Sequence, residues 1–283
     1  MSKWVWWKWF IVMVCLLLGS FAQLTHSYQV AQPVALDCNR QAKRASRVTA
    51  LPHTHYLFSE RFGWFDASHF NTGQPGKVLQ DVETAVANGG GVITIQQGVR
   101  ENITGYKAAY RLSGRLRKAD VIPAALGIYL DWSMRFEAWE AGLPRGLVAP
   151  FTPFAVEDLP SQYLGFVSYA KKMSLEALFA CYIGSVTALE EGPPDLVLSD
   201  EVAGTEGQVG IMRLQNKTFT PMVPTEAGWQ RVNWPKPLHM WAMSSSPISW
   251  QFLAETTWYF AADNHNLHLQ TELPQLPRDV FMQ

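Results

Sequence analysis

Residues 120 to 141 form the longest stretch that can fold in only one way. In "ADVIPAALGIYLDWSMRFEAWEAG", Ile122, Ala125, Tyr129, Trp132, Phe136 and Trp139 recur at helical spacing. Asp120 is a fitting N-cap, Pro123 is tolerated in a first turn, and Gly142 with Pro144 ends the pattern. A helix this apolar must be covered by other elements, so it predicts a core built around itself. It also carries charge. Asp131 and Arg135 are spaced to pair at i,i+4, on a face shared with Ala124, Gly127, Ile128 and Ala138. Glu137 and Glu140 lie on another edge.

The flanking pattern predicts a mixed fold. A helix over Pro75 to Asn88 places Val78, Leu79, Val82 and Val86 on one side and stops at Gly89, Gly90 and Gly91. "VITIQQGV" and "TGYKAAYRLSG" read as a hairpin turning at "RENI". A third helix begins at "EDLPSQYLGF", with Asp158 as cap and Lys171 and Lys172 suited to its C-terminal dipole. Ser174 can cap a fourth over "LEALFACYIGSVTALEE". Beyond Asp195 the pattern weakens to loops or short strands, with "ISWQFLAETTWYF" and "HNLHLQTEL" as strand candidates. The expected class is α+β, with a helical middle of about four helices, a β-hairpin, and an irregular, partly β C-terminal third.

The N-terminus sets the compartment. Lys3 and Lys8 precede an apolar run from Trp9 to Leu18, and Ser20 and Ala22 sit at −3 and −1 of a cleavage site. Residues 1–22 therefore read as a secretory signal peptide. The alternative is an uncleaved anchor: Trp4, Trp6, Trp7 and Trp9 suit a membrane interface, although the run is shorter than the roughly 20 residues of a span. Either way the expected location is extracytoplasmic, periplasmic or secreted, with membrane contact only through this segment. Residues 23–50 read as an irregular tail, and 51–283 as a single domain. After cleavage two cysteines remain, Cys38 and Cys181, able to pair in an oxidising compartment or to stay as separate thiols.

Charge excludes one class of partner. With 23 basic and 24 acidic residues and no basic block, nucleic acid is not expected. The 12 tryptophans suit a glycan, a small molecule or an envelope surface as readily as a core. No HExxH, GxSxG, Walker loop or GxGxxG is present. Sequons occur at Asn102 and Asn216.

Candidate chemistry centres on "RFGWFDASHF". Asp66 and His69 are three apart, so a helix starting at Asp66 lets the carboxylate orient the imidazole. The pair could serve as a general base or as a metal ligand, His69, backed by an acid. The competing reading makes Asp66 a cap and packs His69 on Trp64 and Phe70. His53 and His55 could add ligands to a divalent metal, but their segment reads as an exposed loop, and His265 and His268 are weaker still.

"RFGWFDASHF", a middle helix with aromatic and acidic residues, and "EDLPSQYLGF", in that order, resemble exported bacterial proteins of the uncharacterised family DUF4056. The resemblance covers about residues 60 to 170 and implies no substrate or reaction.

Two readings of function follow. One is an extracytoplasmic hydrolase: His69 as base or metal ligand, Asp66 orienting it, Arg61 or Arg135 stabilising an anion, Glu137 a second acid/base group, and the Asp131 helix facing the 61–69 segment. The other is a non-catalytic envelope protein that binds a partner or performs a structural role.

Overall fold

The computed structural model describes residues 56–99, 104–141, 153–193, 196–197, 211–212 and 214–259. The signal segment, the 23–50 tail, His53, His55, Asn102, the "RENI" turn, "HNLHLQTEL", His265 and His268 lie outside these residues.

The fold is α+β, as expected. Strands β1 (Tyr56–Ser59), β2 (Gly63–Asp66) and β5 (Thr187–Leu189) form a small antiparallel sheet in the order β2-β1-β5. A 3₁₀ turn, Ala67–Asn71, follows β2 directly, and α1 (Pro75–Ala87) follows that. The expected hairpin is β3 (Gly91–Val99) with β4 (Thr104–Leu112), in continuous register from Gly91↔Leu112 to Val99↔Thr104. β10 (Trp250–Tyr259) adds to the far edge of β4, so the order is β10-β4-β3. The first candidate stretch after Asp195, "ISWQFLAETTWYF", is thus a ten-residue strand that completes the main sheet. Short pairs β6 (Leu196–Val197) with β7 (Ile211–Met212), and β8 (Met222–Thr225) with β9 (Gly228–Arg231), make up the rest.

Helix α2 (Val121–Ala141) is the centre of the core. It is buried nearly all round. Tyr129, Trp132 and Phe136 stack in sequence along it, with Trp132 and Phe136 centroids 5.1 Å apart, and Trp139 packs on Phe136 at a tilt. The exception in the predicted stripe is Ile122, which is exposed while Val121, Ala124 and Ala125 around it are buried. Burial of each large ring contributes roughly 1.5–3 kcal/mol relative to exposure. Asp120 does not cap this helix as expected. The chain enters through a 3₁₀ turn, Lys118–Asp120, and the Asp120 carboxylate accepts from Arg117 N at 2.8 Å instead.

Helix α3 (Asp158–Lys171) packs against α1, α2 and the 3₁₀ turn. Asp158 is its first residue, and Glu157 occupies the capping position. The fourth helix is shorter than its apolar pattern predicts. Ser174 does cap it, accepting from Ala177 N, but α4 covers only Leu175–Leu178 before widening into a π turn, Phe179–Ile183. Gly184, at φ +92°, ends it, and Thr187–Leu189 then pair with β1. Edge pairing to β1 outweighs the helical pattern of that stretch. Cys181 in the π turn is disulfide-bonded, and the chain's other two cysteines, Cys15 and Cys38, lie outside the described residues. Among the described residues, no helix is long and apolar enough to cross a membrane.

Candidate functional site

Asp66 ends β2 and starts the 3₁₀ turn, and both jobs follow from its backbone. At φ −95°, ψ 121° it is extended, and its Oδ1 accepts from Ser68 N and Ser68 Oγ, each at 2.7 Å. It is therefore the expected cap. Its second oxygen is not spent on the backbone: Oδ2 is 2.8 Å from His69 Nδ1, which donates to it. The cap and the His-orienting acid are one residue, so Asp66 fills both roles read from "DASH".

Holding Nδ1 leaves Nε2 facing the helices. His69 Nε2 lies 3.9 Å from Glu137 Oε1 on α2 and 3.6 Å from Asp158 Oδ1 at the start of α3. His69 thus faces the acidic helix and not the aromatic packing expected in the competing reading. Phe70 points the other way, into a cluster with Phe65 and Phe179.

Two contacts bring the turn onto α3, and two more hold its exit. Asp66 N donates to Ser161 Oγ at 2.9 Å, and that hydroxyl donates in turn to Glu157 O. Gly165 lets the backbones touch: a methyl there would lie 1.9 Å from Phe70 O. The exit of the turn is held by Tyr129 Oη on Thr72 O and by Gly73 N on Gln97 Oε1. Gly73 has φ +69°, and a side chain there would meet the Trp132 ring. This is why "NTG" follows the site.

The carboxylates behind His69 are buried and individually held. Glu137, fully buried, accepts from Phe154 N at 3.0 Å and from Gln162 Nε2 at 2.7 Å. Asp158 Oδ2 accepts from Ala155 N at 2.7 Å. The Glu137 and Asp158 carboxyls are close enough to hydrogen-bond to each other. Glu140, one turn along α2, adds a third buried acid.

The electrostatics follow from this crowding. Burial opposes the charged imidazole of His69, but the Asp158 and Asp66 charges, the Asp66 hydrogen bond and Glu137 outweigh it and hold its pKa well above the usual 6.5. Burial likewise opposes the Asp66 carboxylate, yet the His69 charge and hydrogen bond, with two hydrogen bonds from Ser68, bring it below its ordinary value. Glu137 and Asp158 go the other way. Burial raises both, and for Asp158 the Glu137 charge raises it further. Glu140 is pushed up to about 8, by burial and then by the Glu137 charge. The site is a proton-holding cluster in which one imidazole serves several acids.

Asp66, His69 and Asp158 each offer a ligand atom within 4.8 Å of one another, a set able to hold a metal ion. Glu137 faces the same imidazole nitrogen.

The remaining sequence candidates lie elsewhere. Asp131 and Arg135 do pair, Nε to Oδ2 at 2.7 Å, but in a separate network under the main sheet. Tyr110 Oη donates to Asp131 at 2.9 Å, Tyr106 Oη donates to Glu255 at 2.5 Å, and the Arg135 guanidinium approaches Glu255 while lying 3.7 Å above the Phe252 ring. Arg61 is exposed and packs over Phe62. Neither arginine is among the groups that meet His69. Three residues of the cluster were not anticipated from sequence: Asp158, read only as a cap, Glu140 and Gln162. Their signal was i,i+3 and i,i+4 spacing of polar residues on helices otherwise buried all round. The Asn216 sequon is not a surface site, since its buried side chain donates to Val156 O and Thr220 O and accepts from Thr218.

No family model matches the chain, and no curated protein or solved structure matches it. The DUF4056 resemblance therefore carries no argument about function.

Proposed function

We propose that the protein is an extracytoplasmic hydrolase whose water-activating centre is the point where His69 Nε2, Glu137 Oε1 and Asp158 Oδ1 converge. The observation that carries this reading is the orientation of His69. Asp66 holds Nδ1, and Nε2 is aimed at two buried carboxyls 3.6 and 3.9 Å away, too far for direct hydrogen bonds and wide enough for a bridging oxygen. An oriented imidazole with an acid on one nitrogen and the reacting position on the other can pass a proton between water and the carboxyls behind it. His69 and Asp66 are 19% and 14% exposed at the side chain, so this edge of the cluster reaches solvent while Glu137 does not.

The spacing also favours one class of bond. Two-carboxylate glycosidases hold their acids about 5 Å apart or more. Glu137 and Asp158 converge on one imidazole nitrogen and lie within reach of each other. Attack on an acyl carbon, in an amide or ester, fits the cluster better than glycoside cleavage. The test is a panel of amide, ester and glycoside substrates with the full-length protein. His69→Ala and Glu137→Gln should each lower kcat by about 10²-fold or more, the usual contribution of an acid/base group. A turnover that both variants retain would end this reading.

A second reading has its own support. Trp241 is 68% and Ile248 60% exposed, and Ile248 lines a cavity of about 340 Å³ together with Arg115, Asp120 and Ser246. A non-catalytic protein that binds an envelope partner would use these exposed apolar side chains. It predicts that Trp241→Ala abolishes binding while His69→Ala does not.

A further inference from the structure

We infer that the His69 cluster is a binding site for one divalent transition-metal ion, ligated by His69 Nε2, Asp158 Oδ1 and Glu137 Oε1. The inference rests on reading this cluster as the active centre, and names the cofactor that would work there.

The geometry is that of a ligand set around a shared ion. Nε2 is 3.6 Å from Asp158 Oδ1 and 3.9 Å from Glu137 Oε1, and the two carboxyls are within hydrogen-bond reach of each other. Ligand atoms about 2.0–2.2 Å from one tetrahedral ion are about 3.3–3.6 Å apart, so contraction by a few tenths of an ångström seats it. The supporting bonds are already those of a metal centre. Asp66 accepts from Nδ1, so Nε2 is the nitrogen that would give up its proton to an ion. Phe154 N and Gln162 Nε2 hold the Glu137 carboxylate, and Ala155 N holds the Asp158 oxygen that does not face His69. Asp66 is assigned the supporting role because its Oδ1 already accepts two bonds from Ser68 and its Oδ2 is the oxygen that holds His69 Nδ1, whereas Glu137 Oε1 accepts one bond, from Gln162, and faces Nε2.

A second observation points to a ligand independently of the acids. Gln162 is fully buried, and Nε2 of its carboxamide is committed to Glu137, yet Oε1 has no hydrogen-bond partner. A buried amide oxygen left without a donor is costly. The bond to Glu137 keeps the carboxamide at the cluster, where Oε1 can receive a metal-bound water or ligate the ion. A mixed nitrogen and carboxylate set selects Zn²⁺ or Mn²⁺ over Ca²⁺ and Mg²⁺, which prefer oxygen alone.

The experiment needs no substrate. Full-length protein is treated with chelator, then titrated with Zn²⁺, Mn²⁺, Mg²⁺ and Ca²⁺ by calorimetry, with bound metal counted by elemental analysis after dialysis. One Zn²⁺ or Mn²⁺ per chain is expected, with Mg²⁺ and Ca²⁺ at least 100-fold weaker. Asp158→Asn and Glu137→Gln should each weaken binding 100-fold or more, and Asp66→Asn by about 10–100-fold, the usual effect of losing an orienting partner. Circular dichroism reports whether each variant folds, and the wild-type titration stands by itself. Failure of Zn²⁺ and Mn²⁺ to bind the wild type, or equal binding by folded Asp158→Asn, overturns the inference. Hydrolysis that survives chelation would leave the hydrolase standing without the metal. Stoichiometric binding with no hydrolysis would do the reverse.

Discussion

Replacing Gly165 by alanine sets two physical effects against each other. Gly165 is inside α3, where alanine is the better helix former by about 1 kcal/mol. Helix propensity alone therefore predicts a more stable protein. The added methyl, however, would lie 1.9 Å from Phe70 O, 2.7 Å from Phe70 C and 3.0 Å from its Cα. These are backbone atoms, with no side chain to swing away. The 3₁₀ turn must retreat from α3 by about 1 Å or more, at the overpacking cost of about 1–3 kcal/mol. The same retreat stretches the Asp66 N to Ser161 Oγ bond, worth about 1 kcal/mol. The sum is a net loss of about 1–3 kcal/mol, or a fall in Tm of roughly 2–10 °C for a domain of this size.

Denaturant melts of Gly165→Ala beside wild type measure this, with Gly76→Ala as the control. A methyl at Gly76 also meets its neighbour closely, at 2.4 Å, but the neighbour is the half-buried Tyr169 ring, which can turn aside. Gly76→Ala should change stability by less than about 1 kcal/mol. A Gly165→Ala protein as stable as wild type would refute the claim that this glycine seats the turn. Function supplies a separate readout. A shift of about 1 Å in a positioned group can cost on the order of 10²-fold in rate. The variant should therefore lose affinity for metal or turnover beyond what its lost stability explains.

Glu140 makes the pH dependence testable. Its pKa rises from 4.5 to about 8 on folding, so the native chain keeps a proton that the unfolded chain releases between those values. In chelator, stability should then fall as pH rises through this window, by at most about 1.4 kcal/mol per unit, and Glu140→Gln should flatten the slope. Equal slopes in Tm against pH would contradict the assignment. Arg135→Met leaves Asp131 and Glu255 facing each other's network without their cation, and should cost about 3–5 kcal/mol in urea melts. An unchanged midpoint would mean that the tyrosine hydroxyls alone satisfy both acids. Asn216→Ala removes a buried side chain bonded to three residues and should cost about 1–3 kcal/mol. Mass spectrometry of protein secreted by a glycosylating host should find no glycan on Asn216.

What could be read from the chain, and what could not, divides along the range of the interaction. The helix over Val121–Ala141, the Pro75–Ala87 helix with its glycine stop, and the 91–112 hairpin all rest on local periodicity and turn chemistry, and each forms within a residue or two of its expected bounds. The Thr187–Leu189 strand does not, because its state is decided by pairing with β1, more than a hundred residues earlier. The site shows the same division within single residues. Asp66 looks like a cap because capping is local, and it is one; its second role needs only a histidine three residues on, so it too was visible. Asp158 also looks like the start of a helix. Its role differs because Ser161 and Gly165, at i+3 and i+7 of the same helix, present a hydroxyl and a bare backbone to the 3₁₀ turn. That surface brings His69 to the end of α3 that carries Asp158. An acid at a helix start and a glycine two turns later are each unremarkable in sequence. Their pairing acquires meaning only through the distant turn that fits between them.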